Sequence, residues 1–369
     1  MPYPQFDRFK IHFKPLKERK DKVFIEKDAV YPDSDPKTPL NELSSKIINQ
    51  TIDRLIKAKE ENKSRMLVFG AHTIKNGLSP VIMWLLEHNW VTHIATNGAG
   101  IIHDWEFSYQ GHSSEDVRTN VSRGEFGIWQ ETGFLLNLSI VVGACEGKGY
   151  GESVGAFVEN EGLYIPSKEE LKAIILNNID RNPDICASAS DLLSKINEFS
   201  IQSGFMKIPH QYKKYGLQAC AYRLNIPFTA HPMIGHDIIY THPMNTCSAI
   251  GRASQRDFLT FAHSVSNLEN GVYLSIGSAV MSPMVFEKSL SMSQNVSIQK
   301  GKPITNHFIV VVDLQESKWD WSQGEPPMDR PEYYLRFNKS FSRMGGTFRY
   351  LTMDNRDFLL HLVHKLKEK

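Results

Sequence analysis

Residues 65 to 96 limit the fold more than any other stretch. "RMLVFG" (65–70) is a short apolar run closed by glycine. "GLSPVIMWLLEHN" (77–89) spaces its apolar residues as a helix does, with Pro80 in the first turn, where a missing N–H costs little. "WVTHIAT" (90–96) is a second apolar run. A helix between two strands carries the chain back to the starting end of the sheet. The segment therefore reads as a βαβ unit, and it predicts a parallel sheet.

The alternation returns downstream. "SDLLSKINEFSIQ" reads as a helix, and "HQYKKYGLQACAYRLN" as a helix leading into the strand "IPFTAH". "DFLTFAHSVSNLEN" feeds the strand "GVYLSIGSAV", "HFIVVVDLQ" is a further strand, and "NRDFLLHLVHKLKEK" is a closing helix. Upstream, Leu43, Ile47, Ile48, Ile52, Leu55 and Ile56 recur at helical spacing, with Asn41 as their cap. Residues 1–40 are polar and irregular, and "YPDSDPKTPL" reads as a loop. Residues 144–165 are glycine-rich and read as a long surface excursion. The expectation is one α/β domain over 41–369, a Rossmann-like parallel sheet flanked by helices, with a helical N-terminal extension preceded by an irregular first forty residues.

Bulk numbers narrow the function. Lys plus Arg total 42 and Asp plus Glu 41, a net charge of +1, so no global field favours nucleic acid. No apolar run approaches a membrane span, and the first residues carry no apolar signal core. The four cysteines show no CxxC spacing. A reduced, cytoplasmic protein is expected.

In an open parallel sheet, ligands bind beyond the carboxyl ends of the strands. Those ends read "GAHTIKNG", "NGAGIIHD", "HPMIGHD" and "GSAV". Glycine and small residues let backbone approach a nucleotide and turn its N–H groups toward phosphate. They also serve simply to turn a chain, and no G-x-G-x-x-G is present. His72, His103, Asp104, His231, His236, Asp237 and His242 cluster at the same ends, where a histidine beside a carboxylate suits proton transfer. Taken singly, each reads as a surface or capping residue. A metal site from His231, His236, Asp237 and His242 lacks a recurrent ligand spacing, so no metal is assigned. Between 313 and 340, Asp313, Glu316, Asp320, Glu325, Asp329 and Glu332 alternate with Trp319, Trp321, Tyr333, Tyr334 and Phe337. Carboxylates among aromatic faces suit an aliphatic polyamine, while the plainer reading is a solvated loop packing its rings on the sheet.

"GAHTIKNGLSP", "THIATNGAGIIHDWEFSYQGHSSEDV", "GEFGIWQETG", "IGHDIIYTHP" and "LSIGSAV" together resemble the deoxyhypusine synthase family, most of all its bacterial deoxyhypusine synthase-like branch. The resemblance runs from about residue 40 to the C-terminus. It implies a Rossmann-like fold, a homotetramer with active sites at subunit interfaces, NAD as cofactor, and aminobutyl transfer from spermidine through a lysine imine. By position it implies that Ala71, His72 and Lys75, then Asn97, Gly98 and Ala99, then Gly277, Ser278 and Ala279 line the cofactor, with Asp104 nearby. It implies Lys339 as the imine-forming lysine, with Phe337 as an aromatic wall before it. Asp237 would bind the polyamine, with Glu316 or Asp320 as a second anchor. His236 or His103 would carry the proton, and His242 is a further candidate at the amine. The sequence departs from the family at Phe337-Asn338-Lys339, where the synthases have Trp-Gly-Lys, and at Pro283, where they have a histidine. The expectation is thus an NAD-dependent aminoalkyl transferase. The alternatives are an NAD- or nucleotide-binding paralogue without transfer, or a metal-dependent hydrolase.

Overall fold

The computed structural model describes residues 3–369. Ten strands occur in chain order: β1 (Asp21–Phe24), β2 (Arg65–Phe69), β3 (His93–Thr96), β4 (His112–Glu115), β5 (Gly162–Ile165), β6 (Gly204–Lys207), β7 (Phe228–Ala230), β8 (Val272–Ile276), β9 (Phe308–Asp313) and β10 (Thr347–Thr352). Six of them form one sheet in the order β10-β9-β8-β2-β3-β7, and every pairing is parallel. By rank along the chain this is 6-5-4-1-2-3, the strand order of Rossmann sheets. The order reverses between β2 and β8. Helices cover both faces, so β2 and β8 are buried along their whole length.

Period-two alternation divides the strand side chains between two cores. Leu67, Phe69, Ile94, Val310 and Val312 join the larger core with Ile48, Leu55, Leu85 and Leu362. Met66, Val68, Ala95, Ile309 and Val311 face the opposite way and pack with Phe261, Phe286 and Phe341. The helix Glu42–Glu60 forms as its spacing predicts, and the Asn41 side chain accepts from the Ser44 N–H at 2.8 Å.

Three features differ from the reading of the sequence. Residues 144–165 are not a surface excursion. They hold the end of the helix Gln130–Cys145, the nearly all-buried helix Tyr150–Glu159, and β5. Their glycines serve close packing: a Cβ on Gly151 would stand 1.9 Å from the Phe228 carbonyl oxygen, and one on Gly155 2.8 Å from that of Gln218. β10 carried no strand signal, because "TFRYLT" at the sheet edge is only partly buried. Finally, residues 8–28 of the N-terminal stretch are tied into the body by short 3-10 turns, a four-residue helix and β1, which pairs antiparallel with β4. Arg19 forks onto Glu106 with two bonds of 2.6–2.7 Å and onto Asp21 at 2.7 Å, all nearly without solvent. Among the described residues, no helix is long and apolar enough to cross a membrane.

Candidate functional site

The strand-order reversal puts the end of β2 beside the end of β8. Gly70 follows β2, and Gly277 follows β8 with φ +56°. The two glycines touch: a Cβ on Gly70 would lie 2.1 Å from the Gly277 carbonyl oxygen. On Gly277, a Cβ would meet the Asn355 amide at 2.5 Å. The Gly70 N–H donates to Ile276 at 3.1 Å, which knits the two turns together. Ser278 follows, its hydroxyl accepting from the Ser282 N–H at 3.2 Å, and Ala279 is exposed. The 19-residue helix Met281–Gln299 starts here; Ser278 takes its Ser282 N–H and Pro283 has none to offer, so what the helix presents at this point is chiefly the positive end of its dipole. Bare backbone, a helix N-terminus and a topological switch point coincide.

Ala71, His72 and Lys75 lie on the short helix after Gly70, packed against the helix Gly98–Gln110, which carries His103. His72, Lys75 and His103 are close enough that each of the first two pushes the His103 pKa down. Burial is the larger cause, and the imidazole sits at about 4. Its protonation pattern is set by neighbours. Ser113 gives its hydroxyl proton to Glu106 and so accepts from His103 Nδ1–H at 2.7 Å, which leaves Nε2 with the lone pair. Lys75 is half-buried, and burial followed by Lys22 lowers its pKa. These groups form a basic wall beside the switch point.

Across β3 the character inverts. Asn97 caps its helix by accepting from the Gly100 N–H at 2.9 Å. Gly98 leaves room for the Asp237 carboxylate, since a Cβ there would stand 2.0 Å from Asp237 Oδ2. Ala99 is half-buried on the same turn. Burial raises the Asp237 pKa to about 6, opposed only by exposed His236. Asp257 lies behind, fully buried, accepting from the N–H groups of Ala230 at 2.7 Å and Gly151 at 3.0 Å, with its pKa pushed up to about 7 by burial. The folded chain therefore holds more protons on these carboxyls than the unfolded chain between the ordinary 3.8 and about 7. Their contribution to stability falls as pH rises through that window. Urea midpoints should show the wild type losing ground to Asp257→Asn between pH 4 and 7. A difference independent of pH would remove Asp257 as the titrating group.

Other candidates stand elsewhere. Asp104 is fully buried, and its oxygens cap the helix Leu217–Arg223: Oδ1 accepts from Leu217 N–H at 2.9 Å, Oδ2 from Gln218 N–H and the Gln218 side chain at 3.0 Å. Its carboxylate is spent on that helix rather than left open at the strand ends. His242 is a core histidine packed on Phe13, Phe134 and Phe199, with Nδ1 accepting from the Met244 N–H at 2.9 Å. Phe337 is not a wall of a site but part of the second core, where it packs near Tyr350. Glu316 is exposed, and Asp320 spends its carboxylate on Ser322 and Gln323. His231 bonds Thr229 and packs on Phe261, so the four-residue metal grouping is dispersed. Among the described residues no three His, Cys, Asp or Glu side chains gather as a metal site.

Lys339 lies on the helix Arg336–Ser342, paired with Glu325 at 2.9 Å and seated 3.3 Å over the Tyr333 ring. Burial works against its charge, but Tyr333 and Glu325 outweigh it and raise the pKa. That helix packs over β8 and β10, whereas Asp237 lies beyond β3. Two to four strand spacings separate them, about 10–19 Å at ~4.8 Å each. Two surface clefts lie elsewhere: about 660 Å³ beside Lys59, Trp84 and Trp90, and about 690 Å³ beside Gln50, Trp319 and Tyr350.

No family model matches the chain, and no curated protein matches it. Solved structures do. A conserved LOR/SDH protein from Methanococcus maripaludis is 13% identical with a TM-score of 0.40, covering 92% of this chain and 74% of that one. AgrE, in a complex with ornithine and NAD+, is 12% identical with a TM-score of 0.40, over 90% of this chain and 34% of that one. A protein described as a deoxyhypusine synthase from Entamoeba histolytica is 12% identical with a TM-score of 0.38, over 88% of both chains. The chain spans about a third of AgrE. Values this low fix no activity.

Proposed function

We propose that the chain is an NAD-dependent enzyme acting on an amine, and in its finer form an aminoalkyl transferase of the deoxyhypusine synthase type. The contact of Gly70 with Gly277 at the switch point of a Rossmann-ordered sheet carries this reading. NAD fits there: a Cβ at either glycine would fill the cradle, and the Met281–Gln299 helix would turn the positive end of its dipole toward a pyrophosphate. Gly277, Ser278, Ala279, Ala71 and His72 would line it, with Lys75 supplying positive charge and Asn97, Gly98 and Ala99 the far wall. Bound there, NAD would supply a hydride acceptor for the carbon next to the amine nitrogen.

This chain's residues do the rest. Asp237 holds the ammonium end of the substrate, because a buried carboxylate without a cation gains most from one. His103 Nε2 takes a proton, with Ser113 and Glu106 fixing the ring. Lys339 would form the new C–N bond to the aminoalkyl carbon as the bond from that carbon to the departing diamine breaks, the leaving nitrogen taking up a proton; it must first lose the proton that Glu325 and Tyr333 hold on it at rest. A homotetramer would supply Lys339 and Asp237 to one site from different subunits, since one subunit holds them apart.

Borohydride added to protein turning over spermidine with NAD should trap an adduct. In Lys339→Ala that adduct should fall at least a hundredfold by intact mass. An undiminished adduct removes Lys339 from the mechanism. The Lys339–Glu325 pair also favours a second reading, NAD binding without transfer. Tight NAD binding with neither 1,3-diaminopropane nor homospermidine formed would select it.

A further inference from the structure

We propose that Tyr150 and Tyr240 complete, with Asp237, a pocket for a primary ammonium group; this names the amine subsite of the reading above and rests on it. Three oxygens carry the argument. The Tyr150 hydroxyl, the Tyr240 hydroxyl and Asp237 Oδ2 are each buried without a hydrogen-bond partner. Tyr150 is 0% exposed. Buried polar atoms are nearly always bonded, and three unbonded neighbours mark a place where something else bonds them.

The three are neighbours. Asp237, Tyr240 and Asp257 all act electrostatically on Tyr150, and Asp237 acts on Tyr240. Their backbones come from different elements. Tyr150 opens the helix Tyr150–Glu159, directly after Gly149, whose missing Cβ admits Asp257 Oδ1. Asp237 and Tyr240 lie at and in the 3-10 turn Ile238–Thr241, which is fixed from below by Asn137 donating to the Ile239 carbonyl at 2.8 Å. Gly98 provides the remaining wall.

The pocket's chemistry chooses the ligand. It contains one carboxylate and two phenols, with a second carboxyl behind them. Among the described residues no Lys or Arg acts on Asp237, and its one positive influence is exposed His236. An ammonium group has three N–H donors and one positive charge. The pocket offers three acceptor oxygens and one uncompensated negative charge. A hydroxyl or water would fill fewer of the acceptors and none of the charge. Tyrosine rings are rigid and lose little freedom on binding, so they also restrict the site to a slim, unbranched amine end.

The test uses the full chain saturated with NAD, titrated calorimetrically with putrescine and with spermidine. Tyr150→Phe and Tyr240→Phe should each weaken amine binding five- to tenfold, and NAD affinity should stay at the wild-type value. The free variants should melt no lower than the wild type, because each loses a hydroxyl that bonds nothing there. Amine affinity unchanged in both variants overturns the tyrosine pocket and leaves the amine reading standing. Wild-type protein that binds NAD but neither amine overturns both. A variant that melts several degrees lower shows the hydroxyl to be structural, and also overturns the pocket.

Discussion

Replacing Gly70 with alanine is expected to lower NAD affinity at least a hundredfold, about 2.8 kcal/mol. The new methyl carbon would stand 2.1 Å from the Gly277 oxygen and 3.1 Å from its carbonyl carbon. Both are backbone atoms, so no side chain can swing aside. The turns after β2 and β8 must separate, and the Gly70 N–H bond to Ile276 stretches with them. Gly277 cannot give way easily: its φ is +56°, and Asn355 fills the space beneath it, donating to Thr73 at 3.2 Å. Gly251→Ala is the control, since its Cβ would meet nothing within 4 Å. Fluorescence titration with NADH, at a temperature where circular dichroism shows both variants folded, reads the effect. Gly70→Ala binding NADH as the wild type does would displace the dinucleotide from the switch point.

The second large effect falls on stability. Asp104→Ala is expected to cost about 3–5 kcal/mol, because it strips acceptors from several buried donors at once. Leu217 N–H, Gln218 N–H and the Gln218 amide all point at its carboxylate, and Ser79 Oγ stands 3.4 Å from it. The helix Leu217–Arg223 loses its N-terminal anchor and the negative charge facing its dipole. Chemical denaturation measures this loss. NADH affinity of the folded fraction should remain within about threefold of wild type, which corresponds to less than 1 kcal/mol. A large loss of affinity with unchanged stability would return Asp104 to the cofactor.

The sequence showed how the backbone runs better than where its side chains point. Gly70, Asn97 and Gly277 were legible as strand-end positions because an apolar run closed by a small residue has one plain reading in a parallel sheet. The neighbouring ionisable residues were not legible. His103 and Asp104 are adjacent in sequence but face different ways on one helix. One stands beside Lys75 and His72, and the other is buried as a cap for another helix 113 residues away. Sequence adjacency cannot separate these roles, because a helix turns about 100° per residue. Phe337 failed similarly: an aromatic between carboxylates looked like a ligand wall, but Phe341, Phe348 and Tyr350 draw it into a core. Tyr150 went unnoticed inside a glycine-rich stretch. The signal that would have found it is the Gly151–Gly155 spacing, which repeats at one helical turn and marks close helix packing rather than a loop.

Local pattern alone therefore determined the α/β class, the parallel sheet, most helices and the glycine turns at the strand ends. Each of these depends on hydrophobic periodicity or backbone freedom within a few residues. Tertiary structure alone decided the strand order, the touching of Gly70 and Gly277 across 207 positions, and the gathering of Tyr150, Asp237 and Tyr240. It also placed Lys339 with Glu325, away from Asp237. Those arrangements depend on which crossovers go left or right of β2 and on which buried groups find partners, and such choices are made between distant segments by packing and desolvation.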